Sequence, residues 1–319
     1  MVEVRGAIRL ALGSTILALL LTVSVAAAAA PAGPRLAVVK VTWKPERARL
    51  ITVDPQGKDA VRLAGGQERG PLSLFGWGPM SWRPDGAEIA VTGLGDFLLA
   101  KANGGGARRI NAAGAEWPVF APDGRTIAFL REGRPGTTIW TIDLVTWEQR
   151  QLTPWRGGLE YVASSFSPDG RTLLATRFDG RGAAKAEPVA LDLATGRATR
   201  LLPDGLQPVY SPDGSKIALF RKVGKRENND LFVLDVEKGT ARRLTRTQPG
   251  YELFASWDPS GERIAFARYR GRHFEWANSI FQINADGTCE TEILSKRRTL
   301  FYGPAWQPGP GREAGRIRC

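Results

Sequence analysis

A short sequence that occurs six times constrains the fold of this chain more than any other feature. The first copy is SWRPDG at residues 81–86, and later versions are VFAPDG (119–124), SFSPDG (165–170), VYSPDG (209–214), SWDPSG (256–261) and the degenerate AWQPGP (305–310). The prolines of successive copies are 38, 46, 44, 47 and 49 residues apart. Self-similarity at a period near 40–50 residues predicts a repeat architecture.

Each repeat has the pattern of four short strands. An aromatic residue stands two positions before each proline, as at Trp82 and Trp257, and an apolar run such as Ile89–Val91 follows. Pro-Asp-Gly favours a tight turn between them, because proline fixes φ, aspartate caps the backbone and glycine accepts positive φ. Two further strands, such as Val189–Leu193 and Thr199–Leu202, come after a variable loop. Four antiparallel strands in a repeat of this length predict one blade of a β-propeller.

The two ends of the repeat region predict how the ring closes. Residues 36–40, 49–53 and 60–64 have the pattern of second, third and fourth strands, whereas Gly303–Gln307 has that of a lone first strand. We therefore expect Gly303–Gln307 to pair with Leu36–Val41. Five whole blades and one shared blade then form an all-β, six-bladed propeller whose ring has no open edge.

The consensus of the repeats resembles a known family. The pattern S/T-W/F-S-P-D-G-x-x-I-A-F, followed by L-x-x-x-D-x-x-x-G-x-x-R-R-L-T, is similar to the TolB-type, WD-repeat-like β-propellers and covers residues 35–308. We assign the propeller domain to residues 33–308. The resemblance implies a protein-interaction module at the cell surface or in the cell envelope. TolB carries an extra N-terminal domain and related peptidases carry a hydrolase domain, and we expect neither here.

Residues 1–32 differ in composition from the rest of the chain. Arg5 and Arg9 precede an apolar run at 10–25, and small residues at 26–30 offer cleavage positions. This pattern is typical of a secretory signal peptide, with a retained membrane anchor as the alternative. We expect a bacterial protein that is secreted or periplasmic, with no membrane span after signal removal.

The sequence contains two cysteines, Cys289 and Cys319. Export would bring them into an oxidising environment, where paired cysteines normally form disulfides. Residues 309–319 form a glycine-rich tail, and ten extended residues reach roughly 33–36 Å, enough to cross a blade. We expect this tail to be a strap that ends in a Cys289–Cys319 disulfide. Two free thiols, or an intermolecular link through Cys319, are the alternatives.

The sequence offers little support for a catalytic or metal site. His273 is the only histidine, so a Ser-His-Asp triad has a single candidate base, and no His/Cys cluster has the spacing of a zinc site. The aspartates of the Pro-Asp-Gly turns recur once per blade, so the symmetry of the ring spreads them apart. We predict that the protein is not an enzyme and that it uses no metal or cofactor.

Basic residues follow the second strand of most blades, and the chain has a formal net charge of +12. One basic position recurs four residues after the first Ile or Leu of the second strand. Lys40 holds it in the first blade, whereas Gly93 departs from the pattern. The loops between blades add aromatic residues. The candidate binding residues are the equivalent arginines Arg131, Arg177, Arg221 and Arg268 and the aromatic residues Trp77, Trp155, Tyr251 and Tyr302.

Two interpretations of the arginines stay open. In the first, they pair with glutamates of the blade-connecting loops, namely Glu68, Glu116, Glu160 and Glu252, and hold neighbouring blades together. In the second, one face of the ring is a basic, aromatic-rimmed surface for an acidic partner. Arginine suits this role because its planar guanidinium binds carboxylates bidentately and stacks on aromatic rings.

These features predict a secreted, monomeric, non-catalytic binding or scaffold module. Its expected partner is an envelope or extracellular protein, or an anionic polymer. Binding of anionic carbohydrate by the basic, aromatic face is one alternative, and a hydrolase or lyase site in the central channel is another. Nucleic acid would satisfy the same electrostatics, but export argues against it.

Overall fold

Six four-stranded sheets form the described part of the chain. The computed structural model describes residues 32–43, 46–65, 78–93, 96–133, 136–154, 159–179, 186–224, 228–247, 250–269 and 278–319. Every strand pairing within a sheet is antiparallel. The described residues include no apolar helix of membrane-spanning length. Most of the predicted signal peptide lies outside them.

The strands run in chain order around the ring. Blade 1 begins with β1 (Leu36–Trp43), β2 (Glu46–Val53) and β3 (Val61–Ala64). Blade 2 consists of β4 (Ser81–Trp82), β5 (Glu88–Thr92), β6 (Phe97–Lys101) and β7 (Ala107–Ile110). Blade 3 consists of β8 (Ala115–Phe120), β9 (Thr126–Glu132), β10 (Thr137–Asp143) and β11 (Gln149–Gln151).

The second half of the ring repeats this order. Blade 4 consists of β12 (Glu160–Phe166), β13 (Thr172–Phe178), β14 (Glu187–Asp192) and β15 (Ala198–Arg200). Blade 5 consists of β16 (Leu206–Tyr210), β17 (Lys216–Lys222), β18 (Asn229–Asp235) and β19 (Thr240–Arg243). Blade 6 consists of β20 (Tyr251–Trp257), β21 (Arg263–Tyr269), β22 (Asn278–Asn284) and β23 (Thr291–Leu294).

A strand from the C-terminal end of the chain completes blade 1. β24 (Thr299–Trp306) pairs with β1, so that the sheet order is β24-β1-β2-β3. This pairing confirms the predicted closure of the ring. The strand starts earlier than predicted because Gly303, at φ 61°, forms a bulge inside it instead of beginning it.

Five of the six repeated aromatic residues are buried, and Tyr210 is partly exposed. Trp82, Phe120, Phe166, Trp257 and Trp306 are each less than a tenth exposed. A hydrogen bond that involves a first strand crosses every junction. In ring order from the junction of blades 1 and 2, the bonds are Trp82 Nε1 to Ala305 O, Phe120 N to Ser81 Oγ, Thr137 Oγ1 to Tyr161 O, Tyr210 N to Ser165 Oγ, Trp257 Nε1 to Val209 O and Trp306 N to Ser256 Oγ.

The C-terminal tail is fastened to blade 6. The Asp258 carboxylate accepts hydrogen bonds from the backbone N–H groups of Ala314 and Gly315, at 3.1 and 3.2 Å. The Arg263 guanidinium donates to the carbonyl oxygens of the same two residues, at 2.9 and 2.8 Å. The predicted disulfide between Cys289 and Cys319 is present. The strand that closes the ring is therefore tied, through the tail that follows it, to the neighbouring blade.

Candidate functional site

The two ends of the ring differ in what they carry. We call the end with the Pro-Asp-Gly turns and the turns between third and fourth strands the turn face. The opposite end carries the loops between second and third strands and the connections between blades, and we call it the loop face. Second strands run from the turn face to the loop face, because the first and second strands are joined by the Pro-Asp-Gly turn.

The four candidate arginines occupy equivalent places at the loop face. Arg131, Arg177, Arg221 and Arg268 are each the penultimate residue of the second strand of their blade. They lie in four different blades, so the structure places them side by side around the ring. Whether they act together on a ligand stays a prediction.

Three of these arginines, Arg177, Arg221 and Arg268, form ion pairs with carboxylates close to them in the chain fold. Arg177 pairs with Glu187 at 2.5 Å, and the two residues stand directly opposite each other on β13 and β14. Arg221 pairs with Asp204 at 2.5 Å. The Arg177–Glu187 hydrogen bond raises the pKa of Arg177 and lowers that of Glu187.

Arg131 has no carboxylate partner among the described residues. Its guanidinium donates to the side-chain oxygen of Gln149 at 2.6 Å and lies 4.3 Å from the centre of the Trp140 ring. Burial lowers the pKa of Arg131. A cation held over an indole face is stabilised by the ring quadrupole.

Arg268 is the most deeply buried of the four. It is 6% exposed and lies between Glu252, at 2.7 Å, and Glu290, at 2.5 Å. Its guanidinium also stacks 4.1 Å from the centre of the Phe281 ring. Desolvation lowers the pKa of Arg268, but the hydrogen bond to Glu290 and the charge of Glu252 outweigh it, so the pKa is raised.

Glu252 joins blade 6 to blade 5. Its carboxylate is fully buried and accepts hydrogen bonds from the backbone N–H of Leu231 at 3.0 Å and from the hydroxyls of Thr245 and Thr247 at 2.5 and 2.8 Å. Burial raises the pKa of Glu252. The charge of Arg268 and the threonine hydroxyls act in the opposite direction but do not outweigh burial. Every oxygen of this buried group therefore has a donor, as a buried charge requires.

The first interpretation of the arginines holds at only one of the predicted glutamates. Glu252 pairs with Arg268 inside blade 6 and contacts blade 5 through the backbone N–H of Leu231. The partners of Arg177 and Arg221 are instead Glu187 and Asp204, which are not among the predicted glutamates. For Arg177 the reason is geometric, because directly opposed residues on antiparallel strands are close neighbours. The residue opposed to Arg221 is Asp230, which pairs with Arg243, and Arg221 pairs with Asp204 in the segment before β16. Glu68 lies outside the described residues.

The selected aromatic residues differ in their accessibility. Tyr302, expected in a loop, lies within β24 and is 1% exposed. Tyr251 begins β20, and its ring stacks on that of Tyr269 with 5.0 Å between centroids. Burial raises the pKa of both Tyr269 and Tyr302. Trp77 and Trp155 lie outside the described residues.

Two aromatic side chains meet across the axis of the ring. The rings of Trp117 and Phe254 are in edge contact, with 6.4 Å between centroids and 60° between planes. Trp117 belongs to blade 3 and Phe254 to blade 6, three positions apart in a ring of six. The contact therefore spans the central channel at that level.

The inner strands are shaped to bring these rings together. Trp117 and Phe254 have φ values of 54° and 61°, at irregularities in the pairing of β8 and β20. The backbone N–H of Trp117 donates to the Thr92 hydroxyl at 3.0 Å, and that of Phe254 donates to the Gln207 side-chain oxygen at 2.9 Å. Sequence analysis missed this pair, because positive φ at an aromatic residue has no sequence signature.

In blade 1 the equivalent of the arginines is Lys40, and its surroundings are cationic. Lys40 stands opposite Arg49 on β2 and opposite Phe301 on β24. Burial lowers the pKa of Lys40, and the charges of Lys296 and Arg49 lower it further. We call Lys40, Arg49 and Lys296 the blade-1 cation cluster. No carboxylate among the described residues forms an ion pair with any of the three.

Comparisons with known proteins identify the fold. No protein-family model matches the chain. The Tol-Pal system protein TolB of Nitratidesulfovibrio vulgaris is 29% identical over 149 residues, which is 46% of this chain and 32% of that protein. The crystal structure of TolB from Acinetobacter baumannii has a TM-score of 0.70 at 22% identity and covers 86% of this chain and 67% of that chain. A putative TolB from Agrobacterium tumefaciens has a TM-score of 0.63 at 17% identity, with coverages of 87% and 99%.

Six four-stranded blades closed by one shared sheet define a six-bladed β-propeller. The fold is similar to that of the TolB structures. The chain spans about a third or less of the length of the curated relatives that it matches. Proteins with a weaker likeness include enzymes, namely a probable dipeptidyl peptidase 4 of Aspergillus fumigatus and an oligogalacturonate lyase of Vibrio parahaemolyticus. The described residues contain no group of three His, Cys, Asp or Glu side chains that could hold a metal ion.

Proposed function

We propose that this protein is an exported, non-catalytic binding or scaffold module that engages another protein at the bacterial cell envelope. The observation that carries the proposal is the contact between Trp117 and Phe254 across the axis. A channel crossed by two packed rings favours the two faces of the ring as the surfaces that a partner contacts. The likeness to TolB, a Tol-Pal system protein by name, supports an envelope role.

Binding of an anionic carbohydrate is the second candidate function. The formal charge of +12 and the blade-1 cation cluster favour an anionic ligand. The third candidate, a hydrolase or lyase that works in the channel, has enzymes among the distant propeller relatives in its favour. The aromatic contact at the axis opposes it, since a substrate would have to displace two packed rings.

Export is part of the proposal and rests on the sequence alone. The segment 1–32 would direct secretion and then be removed, which leaves the propeller at 33–308 and the strap at 309–319. The Cys289–Cys319 disulfide is compatible with an oxidising compartment. We further propose that the exported protein is a monomer.

Affinity capture with the purified exported protein tests the proposal. The immobilised protein is exposed separately to envelope proteins and to a panel of anionic glycans, with the heat-unfolded protein as the control. We expect one specific envelope protein to be retained, and we expect added free propeller to prevent its retention. Capture of a glycan without a protein would transfer the function to the second candidate, and retention of neither would refute both.

A further inference from the structure

We propose that the blade-1 cation cluster is the docking site for an acidic segment of the partner protein, whose carboxylates lie against Lys40, Arg49 and Lys296. This inference rests on the proposed function and adds the chemistry of the partner. It concerns one edge of the loop face, at the junction of blades 1 and 6.

Equivalent positions in the ring differ in how their positive charge is balanced. In blades 4, 5 and 6 the penultimate residue of the second strand is an arginine with a carboxylate at 2.5–2.7 Å, which in blade 5 comes from the segment that leads into the blade. In blade 6 the residue opposite this arginine on the first strand is Glu252. In blade 1 the residue opposite Lys40 on the first strand is Phe301, so the internal counter-charge is missing.

The other neighbour of Lys40 makes the imbalance larger. Lys40 and Arg49 are directly opposed on β1 and β2, and like charges in this arrangement repel each other. Lys296 brings a third positive charge from the connection between β23 and β24. Lys40 and Arg49 are only partly exposed, which strengthens the repulsion relative to open solvent. An external anion would supply the counter-charge that Glu252 supplies in blade 6.

The spacing of the cations fits an extended peptide. Arg47 and Arg49 are two residues apart on β2, so they share one face of the strand with Lys40, the partner of Arg49. Alternate residues of a strand are separated by about 6.6 Å. Alternate carboxylates of an extended acidic segment have the same spacing, and arginine can bind each of them bidentately.

Fluorescence anisotropy with a labelled ten-residue peptide of alternating Glu and Ser tests the site. The full exported protein is compared with Lys40→Gln/Arg49→Gln. The control is Arg171→Gln/Arg197→Gln, which removes the same charge from the turn face of blade 4, where both residues are exposed. We expect the first variant to weaken binding at least about tenfold, as for the loss of a charge-assisted contact, and the control less than about twofold.

A second pair of measurements separates binding from folding. Lys40→Gln/Arg49→Gln should unfold at the same temperature as the parent or higher, because it removes like-charge repulsion. The exposed single variant Lys296→Gln should also weaken peptide binding, without a change in any strand. A lower melting temperature for the double variant, together with parental binding by Lys296→Gln, would overturn the proposal.

Three further results would overturn the assignment. They are parental affinity of Lys40→Gln/Arg49→Gln, equal weakening of the turn-face control, and tighter binding of a single-stranded ten-nucleotide DNA than of the peptide. Capture of an envelope protein by the double variant and the parent alike would overturn this site and leave the proposed function standing. A parent that binds the peptide but captures no envelope protein would instead refute the proposed function.

Discussion

Removal of Arg268 should be far more destabilising than removal of its equivalents. In Arg268→Met, the methionine keeps an apolar side chain over Phe281, but the fully buried Glu252 loses the only cation that pairs with it among the described residues. Removing one partner of a buried ion pair costs about 3–5 kcal/mol of unfolding free energy. Because the remaining donors of Glu252 are neutral, we expect a loss in this range.

Denaturant unfolding of the disulfide-intact protein measures this loss, and Arg131→Met is the matched control. Arg131 occupies the same strand position over Trp140 but bonds Gln149 instead of a carboxylate. The control should lose less than about 1 kcal/mol. In the double variant Glu252→Gln/Arg268→Met no buried charge is left unpaired, so part of the loss should be recovered, by about 0.5–3 kcal/mol.

The loss of unfolding free energy caused by Arg268→Met should depend on pH. Burial already raises the pKa of Glu252 in the parent against the opposing charge of Arg268, and loss of that charge should raise the pKa further. A carboxyl with a raised folded-state pKa binds protons more tightly in the folded state, so lower pH favours folding. The deficit of Arg268→Met should therefore shrink as pH falls from 8 to 5. Equal losses in Arg268→Met and Arg131→Met, or a deficit independent of pH, would refute this reasoning.

Three further predictions concern the closure of the ring and its turns. Replacing Cys289 and Cys319 by serine should lower the unfolding free energy by about 3–4 kcal/mol, since the disulfide spans a separation of 30 residues, and calorimetry of the oxidised parent and the variant measures it. A chain that ends at residue 302 should melt at a much lower temperature than one that ends at 308, because only the shorter one loses half of β24; equal circular-dichroism melting curves would contradict the closure. Side-chain hydrogen bonds from Ser211 and Ser215 lower the pKa of Asp213 to about 2, and bonds from Thr288 and Arg316 lower that of Asp286 to about 2. These carboxylates stabilise the fold above their unfolded pKa near 3.9, so the unfolding free energy should fall as pH drops from about 4 to 2. Asp213→Asn should make this fall less steep.

The architecture could be predicted because its determinants are local and repeated. Pro-Asp-Gly encodes a turn within three residues, and its period fixes the size of a blade. The split of blade 1 between the chain ends followed from counting strands at each end, and the β24–β1 pairing confirms it. The disulfide was predictable because the chain has two cysteines and a tail long enough to join them.

The candidate site was harder to predict because its contacts join distant parts of the chain. The equivalence of the four arginines is visible in the sequence. Glu290, however, comes close to Arg268 because β21, β22 and β23 are neighbours in one sheet. Trp117 and Phe254 meet because bulges in two opposite blades turn their side chains to the axis. Neither a bulge nor a missing counter-charge can be recognised before the strand register is known.

Site-specific photocrosslinking in living cells tests the central claim, binding of a protein partner through the loop face, most directly. A photoreactive amino acid would replace the exposed Arg297, next to Lys296 of the blade-1 cation cluster, or the exposed Arg197 on the turn face. The account predicts a light-dependent adduct with an envelope protein from position 297, and none from position 197. An adduct from position 197 alone, or none from either position, would contradict it.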